Sequence, residues 1–166
     1  MINGTEPANS QASSVPYAYY MPINGYISKS FNTELAVWSA TMNDYRAHCG
    51  IDIEAPRGTA VLAFADGTVR SVYRDPFMGC CLCIEHDGGM KSYYMNLSGE
   101  YPADVTEGSA VYCGQTIASV GETASAEASD PTHLHFEVTV DGKYVDPLEY
   151  LDYDPVAVQS YEDETE

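Results

Sequence analysis

The stretch HLHFEVTVDGKYV, His133–Val145, has the pattern of a β-hairpin whose first strand carries two histidines. Side chains alternate along a strand, so His133 and His135 share one face and apolar neighbours lie on the other. The Asp-Gly pair that begins at Asp141 is typical of a two-residue hairpin turn. The stretch therefore predicts antiparallel β-structure with two imidazoles side by side on one face of a sheet.

The rest of the chain has a similar pattern. Short segments rich in Val, Ile, Tyr and Thr are separated by Gly-containing turns roughly every ten residues, as in a β-sandwich or barrel. The segments Gly58–Val69 and Gly108–Val120 also share a Gly-x-x-Val start followed by a second Gly and an aliphatic residue. We predict a mainly β domain, an antiparallel sandwich or barrel, in which a strand–turn–strand unit occurs twice.

The ends differ in composition from the centre. Residues 1–20 are polar, with neither a basic nor an apolar segment of a signal peptide, and are predicted to be a linker. Residues 153–166 are predicted to be a solvated acidic tail. The domain itself is predicted over residues 21–152. The abrupt polar start favours a domain cut from a longer protein whose anchor or signal lies elsewhere.

Charge and cysteine content narrow the class of protein. The 166 residues include 25 acidic and only 7 basic ones, for a net charge of -18. This charge argues against nucleic acid or an anionic membrane surface as a partner, and it makes a bound divalent cation easy to accommodate. Cys80 and Cys83 have CxxC spacing, but no second such pair follows. A buried strand is therefore favoured there over a zinc ribbon.

The two histidines have possible partners upstream, where His48 precedes Asp52 by four residues. A flat strand would hold these two about 13 Å apart, at roughly 3.3 Å per residue. Because zinc ligands each lie about 2 Å from the metal, joint ligation needs a bend, and Gly50 supplies a flexible point. His and Asp ligands are typical of a catalytic zinc with an open position. Spacing alone does not decide between His133 and His135, nor exclude an ordinary half-exposed face.

With these motifs in order, the chain resembles the LytM/lysostaphin-type zinc metallopeptidases, which cut peptide cross-links in bacterial peptidoglycan. The resemblance runs from about Gly25 to Leu151 and rests on four segments: HCGIDIEAPRGTAVLAFADGTV, SYYMNLS, EGSAVYCGQTIASVG and THLHFEV. It implies an antiparallel β fold of the duplicated hybrid motif type. It also implies Zn²⁺ as cofactor, peptidoglycan peptides as substrate and an extracytoplasmic location.

The resemblance also implies roles for the site residues. His48, Asp52 and His135 match the family's zinc ligands. His133 matches the histidine that does not bind the metal and instead serves as general base towards the attacking water. The remaining histidine, His86, is interpreted as structural.

One position departs from the family pattern. Active members carry a second non-ligand histidine in a Tyr-x-His-Leu segment, where it stabilises the oxyanion, and Asn96 takes its place here. An amide still donates a neutral hydrogen bond, but loss of one oxyanion donor typically costs about 10²–10³ in rate. The expectation is zinc binding with weakened hydrolysis. Strand alternation puts Tyr94 on the same face as Asn96, so Tyr94 is predicted to line the substrate groove.

A second resemblance concerns a branch of the family. The segments WSATMNDYRAHCGIDI and VDPLEYL are similar to the stage II sporulation protein Q branch. Members are membrane-anchored proteins of spore-forming bacteria whose domain pairs with a mother-cell membrane protein ectodomain in a channel. Two functions thus stay open: a peptidoglycan endopeptidase, favoured by the intact His133, or a non-hydrolytic zinc-binding interaction module, favoured by Asn96.

Overall fold

The computed structural model describes residues 19–152. The predicted acidic tail, residues 153–166, and residues 1–18 of the predicted linker lie outside this range. Tyr19 stacks on Phe64 with ring centroids 4.8 Å apart, and the Tyr20 N–H donates to the Phe64 carbonyl at 2.8 Å. These two residues, which the prediction placed in the linker, therefore pack against the domain.

Within residues 19–152 the chain forms twelve strands and three short 3-10 helices. The strands are β1 Tyr26–Lys29, β2 Asn32–Ser39, β3 Asp44–His48, β4 Ile51–Glu54, β5 Ala60–Leu62, β6 Gly67–Asp75, β7 Gly79–Glu85, β8 Met90–Leu97, β9 Ala110–Val111, β10 Thr116–Ser119, β11 His133–Val140 and β12 Lys143–Val145. The helices are Asp87–Gly89, Ser125–Glu127 and Pro147–Glu149. None of these helices has the length and apolar character needed to cross a bilayer. The prediction of a mainly β, antiparallel fold is confirmed.

The largest sheet positions the histidine strand at its centre. Its strand order is β1-β4-β11-β8-β7-β6-β9, with β12 paired to β11 as the predicted hairpin. All of these pairings are antiparallel. Along β11, Leu134 and Phe136 point into the apolar core, where both are fully buried. His133 and His135 consequently face the other side of the sheet, as alternation predicts.

The two similar segments form one reciprocally paired unit. β5 pairs with β10, while β6 pairs with β9, so each segment supplies one strand to each pair. The contacts repeat closely: the Gly58 N–H donates to Val120 O and the Gly108 N–H to Val69 O, both at 2.8 Å. The two glycines have φ values of 88° and 87°, a region that L side chains rarely adopt. The prediction of a repeated strand–turn–strand unit is confirmed.

The hairpin of β2 and β3 was not predicted from the sequence. It forms a separate two-stranded sheet, in which Trp38 packs edge-to-face on Tyr45 at 5.1 Å. Large apolar side chains on it remain exposed: Leu35, Trp38, Met42 and Tyr45. The hairpin matters for the site because β3 ends at His48.

Candidate metal centre

Three of the predicted residues converge on one point. The pairing of β11 with β4 sets His135 opposite Asp52, and Asp52 Oδ1 lies 2.7 Å from His135 Nδ1. The same oxygen lies 3.1 Å from His48 Nε2. The structure thus brings together the three residues expected to bind zinc.

The predicted bend between His48 and Asp52 is present. β3 ends at His48 and β4 begins at Ile51, so the strand is interrupted at residues 49–50. At Gly50 an added Cβ would lie 2.3 Å from the Phe136 carbonyl oxygen. Only glycine therefore lets the chain turn this closely over β11 and return Asp52 towards His48.

Both candidate histidine ligands are oriented through their second ring nitrogen. His48 Nδ1 lies 2.9 Å from the Ser30 carbonyl oxygen, and His135 Nε2 lies 2.9 Å from Glu137 Oε1. These acceptors favour a proton on the outward nitrogens and turn His48 Nε2 and His135 Nδ1 towards Asp52. Metal-binding histidines characteristically have such a partner, a carboxylate or a backbone carbonyl.

The carboxylate of Asp52 tests whether the site fits a cation. Asp52 is 1% exposed, and its Oδ2 is the buried side-chain atom without a hydrogen-bond partner among the described residues. The nearest nitrogen atoms that can carry positive charge, Lys29 Nζ and the protonated form of His133 Nε2, lie 3.9 and 3.8 Å from Oδ2. A buried unpaired carboxylate oxygen is costly, and a divalent ion would satisfy it. The donor set of two imidazoles and a carboxylate fits Zn²⁺.

The charges around Asp52 shift its pKa and that of its neighbour. Burial alone would raise the pKa of Asp52, but hydrogen bonds and charge from His135 and His48 outweigh burial and hold the pKa well below its usual range. Burial would lower the pKa of His135, yet the carboxylates of Asp52 and Glu137 raise it well above normal. The carboxylates thus favour the protonated form of His135, which would lose its Nδ1 proton on binding a metal.

His133 lies beside the three candidate ligands. Its Nδ1 is 2.7 Å from the Pro131 carbonyl oxygen, which turns Nε2 towards the site, and Nε2 lies 2.8 Å from Glu127 Oε2. Burial acts to lower the pKa of His133, but the hydrogen bond to Glu127 and the nearby carboxylates raise it. The predicted role as general base remains a prediction, and it is compatible with this position.

Asn96 has a structural role that the sequence did not reveal. Its φ of 64° lies in the left-handed region, which asparagine tolerates better than most residues. The side-chain Nδ2 donates to the His133 carbonyl at 2.8 Å, while Oδ1 accepts the N–H groups of Thr123 and Ala124 at 2.8 and 2.9 Å. The amide thus joins β8 to β11 and to the loop before it. A catalytic role for Asn96 stays a prediction.

The predicted position of Tyr94 in a substrate groove is wrong. Tyr94 is fully buried in the core, where it packs on Phe136 and its hydroxyl accepts the Phe64 N–H at 2.8 Å. The pairing of β7 with β8 shifts register between Tyr94 and Leu97, so that β8 has one extra residue there, a β-bulge. An extra residue at a bulge breaks alternation, so Tyr94 and Asn96 no longer share a face. Tyr93, opposite Glu137, lies on the site face instead.

Two carboxylates of the site were not predicted. Glu137 follows His135 by two residues on the same strand, so alternation could have placed it on the site face. Glu127 belongs to the 3-10 helix before β11, where no periodicity signals the direction of a side chain. His86, by contrast, lies away from the centre. It contacts the Asp66 carbonyl and the Ser92 hydroxyl at 2.7 and 2.8 Å, in keeping with its structural interpretation.

A groove of about 210 Å³ opens from the centre along the β2–β3 hairpin. Its floor includes His48, Glu127 and His135, so the site is reached from this side. Its walls carry apolar side chains: Val37, Trp38, Met42, Met78 and Ala126. The groove is therefore formed largely by an element that the sequence did not predict.

Comparison with known proteins agrees with this geometry. Residues 46–147, more than half of the chain, match the model of Peptidase family M23, and the range includes every candidate ligand. The chain belongs to peptidase family M23.

The most informative relatives differ in their functions. The DD-carboxypeptidase/endopeptidase Mpg of Neisseria meningitidis is 36% identical over 107 residues, which cover 64% of this chain and 23% of that protein. This chain thus matches less than a quarter of the length of that curated relative. A zinc containing peptidase from Vibrio cholerae is 30% identical, with a TM-score of 0.67. The match covers 83% of this chain and 40% of the peptidase chain. A chain of the SpoIIQ–SpoIIIAH pore-forming complex is 26% identical, with a TM-score of 0.69. The match covers 86% of this chain and 96% of that one.

Proposed function

We propose that this domain is a zinc metalloendopeptidase-type domain acting on peptide cross-links of bacterial peptidoglycan, with activity weakened at position 96. One observation carries the proposal: ligand atoms of His48, Asp52 and His135 converge beside a buried Asp52 oxygen that has no hydrogen-bond partner among the described residues. The peptidase relatives support the substrate class. Such a substrate implies an extracytoplasmic location, at the cell surface or in an intermembrane space.

The residues of the centre would divide the work of hydrolysis. Zn²⁺ held by His48, Asp52 and His135 would supply a Lewis acid that activates water and polarises the peptide carbonyl. His133 would accept the proton of the attacking water at Nε2, because Nδ1 is committed to the Pro131 carbonyl. The groove beside the β2–β3 hairpin would hold the peptide, with apolar walls that exclude water from the reacting bond.

Hydrolysis of purified peptidoglycan tests this proposal. We expect zinc-loaded protein to release new peptide termini, and His133→Ala to lower the rate by about 10²-fold or more, the usual contribution of a general base. His135→Ala should fail to retain stoichiometric zinc by elemental analysis. His86→Gln is a matched control, because His86 is a buried histidine outside the centre. If zinc-loaded wild-type protein releases no more peptide termini than zinc-free protein does, the enzymatic function is refuted.

A second candidate is a non-hydrolytic interaction module, which Asn96 favours. Its Oδ1 is fully engaged by two backbone N–H groups, and among the described residues no second non-ligand histidine lies at the centre beside His133. The similarity to a chain of the SpoIIQ–SpoIIIAH complex supports a membrane protein ectodomain as partner. The exposed apolar side chains of the β2–β3 hairpin offer a surface for one.

Binding to such an ectodomain distinguishes this candidate. The domain would be mixed with a SpoIIIAH-type ectodomain from the same source and analysed by size exclusion with light scattering. A stable complex together with no release of peptide termini would support the module. Hydrolysis without a complex would exclude it.

A further inference from the structure

Glu127 reaches the centre although its position predicts no role there. Its Oε1 lies 3.5 Å from His135 Nδ1, and its Oε2 bonds His133 Nε2. Together with His48 and Asp52, Glu127 and His135 offer four ligand atoms that all lie within 4.8 Å of one another. The side chain of Glu127 is only 10% exposed. Its carboxylate is therefore directed into the centre and not into solvent.

The distances suit a four-coordinate ion. Ligands about 2.0–2.1 Å from a tetrahedral zinc lie about 3.3–3.5 Å from one another. Glu127 Oε1 and His135 Nδ1 are separated by 3.5 Å, and His48 Nε2 and Asp52 Oδ1 by 3.1 Å. His135 Nδ1 and Asp52 Oδ1, at 2.7 Å, form a hydrogen bond and would move apart on binding the ion. Small adjustments at these atoms would therefore complete a tetrahedron made of protein ligands alone.

The charges of the carboxylates at the centre also favour a metal bound by four protein ligands. Two carboxylates, Asp52 and Glu127, would neutralise a divalent ion in a centre whose side chains are almost entirely buried. Among the described residues, the direct ion pairs of Glu127 are with the histidines of the centre, and Lys29 interacts with it through charge without a direct contact. Once His135 binds a metal through Nδ1 it is no longer a proton donor to Glu127. The negative charge of the Glu127 carboxylate would then be stabilised mainly by the metal.

Asn96 holds the segment that delivers Glu127. Its Oδ1 accepts the N–H groups of Thr123 and Ala124, the two residues directly before the helix Ser125–Glu127. A neutral histidine has one acceptor nitrogen and could accept only one of them at a time. The asparagine at position 96 and the placement of Glu127 are thus connected by hydrogen bonds.

We propose that Glu127 is the fourth protein ligand of the metal, and that Asn96 is the residue that positions it. The inference rests on the zinc site of the proposed function and extends it. A centre of this kind is closed, as structural zinc sites are, whereas catalytic sites keep one position for water. Glu127 also occupies Nε2 of His133, the nitrogen needed by a general base. Hydrolysis therefore requires Glu127 to leave the centre first.

Metal titration of the whole chain tests the ligand. Zinc affinity would be measured by chelator competition, and Co²⁺ would replace Zn²⁺ so that its visible absorption reports coordination geometry. We expect Glu127→Ala to weaken zinc binding at least about 10-fold, the smaller loss seen even for second-shell changes. The cobalt spectrum should change as solvent replaces the carboxylate. Glu122→Ala is the matched control, an exposed carboxylate of the same loop bonded to Thr132.

A second variant tests the positioning role. Asn96→Gly removes the amide but permits the φ of 64°. It should shift the cobalt spectrum in the same direction as Glu127→Ala, and combining the two should add little, because both act through one contact. An Asn96→Gly spectrum identical to wild type would overturn the positioning role.

The outcomes separate this inference from the proposed function. If wild-type protein binds zinc, loses it in His135→Ala, but shows unchanged affinity and cobalt spectrum in Glu127→Ala, the fourth ligand is refuted and the zinc site stands. If wild-type protein binds no zinc, both are refuted. Weaker binding and an altered spectrum in Glu127→Ala, with Glu122→Ala unchanged, support the fourth ligand.

Discussion

At the scale of single residues, the centre depends on buried polar groups whose partners lie far apart in the chain. Asp52 Oδ1 contacts two histidines, while Oδ2 contacts no donor within hydrogen-bond distance among the described residues. Asn96 is the opposite case, because three hydrogen bonds engage its amide. The first residue is arranged for a ligand and the second for the fold. A family motif alone does not distinguish these roles.

Replacing Asn96 by the family's histidine should destabilise the domain. The ring would leave at least one buried loop N–H unpaired, at a cost of about 1–3 kcal/mol, and a φ of 64° suits histidine less well. Denaturant unfolding would measure the loss. Asn43→His is the control, because Asn43 has a similar φ of 53° but lies exposed in the turn of the β2–β3 hairpin. Equal losses in the two variants would contradict the structural role of Asn96.

At the scale of elements, the bend between β3 and β4 sets the distance between His48 and Asp52. Gly50→Ala should disturb it, because the new methyl group would meet the Phe136 carbonyl and the Glu137 side chain at 2.3 and 2.8 Å. We expect a destabilisation of about 1–3 kcal/mol, as for other overpacked sites, together with weaker zinc binding. Unfolding and chelator competition would measure the two effects.

The control for this bend is Gly58→Ala. Its Cβ would enter open space, while its φ of 88° imposes backbone strain far from the centre. It should lose stability but keep the zinc affinity of the wild type. If Gly50→Ala also keeps that affinity, the bend does not set the ligand geometry.

At the scale of the whole molecule, a bound metal should stabilise the folded state. An ion present at 100 times its Kd adds about 2.7 kcal/mol if the unfolded chain does not bind it. Removal by a chelator should then lower the Tm by roughly 5–15 °C for a domain of this size. Calorimetry would measure the shift, and His135→Ala should show none. A wild-type Tm indifferent to zinc would argue against a metal held by the native state.

Much of this arrangement could be predicted from local pattern, and the failures have local causes. Alternation correctly placed His133 and His135 opposite Leu134 and Phe136, because β11 is a regular central strand. The same argument failed at Tyr94, because a bulge interrupts β8. No sequence pattern indicates that Glu127 lies at the centre. Its direction is set by backbone hydrogen bonds from distant residues, including Ala126 N–H to the Phe77 carbonyl.

The reciprocal pairing of the repeated unit has a consequence for how the chain folds. β5 finds its partner in β10 and β6 finds one in β9, so neither copy of the unit can close by itself. Joining segments that are distant in sequence costs loop-closure entropy before any contact repays it. Refolding should therefore be slow and cooperative, on a scale of milliseconds to seconds. A fragment that stops before β9 would keep unpaired strand edges, which promote aggregation and not a smaller folded domain.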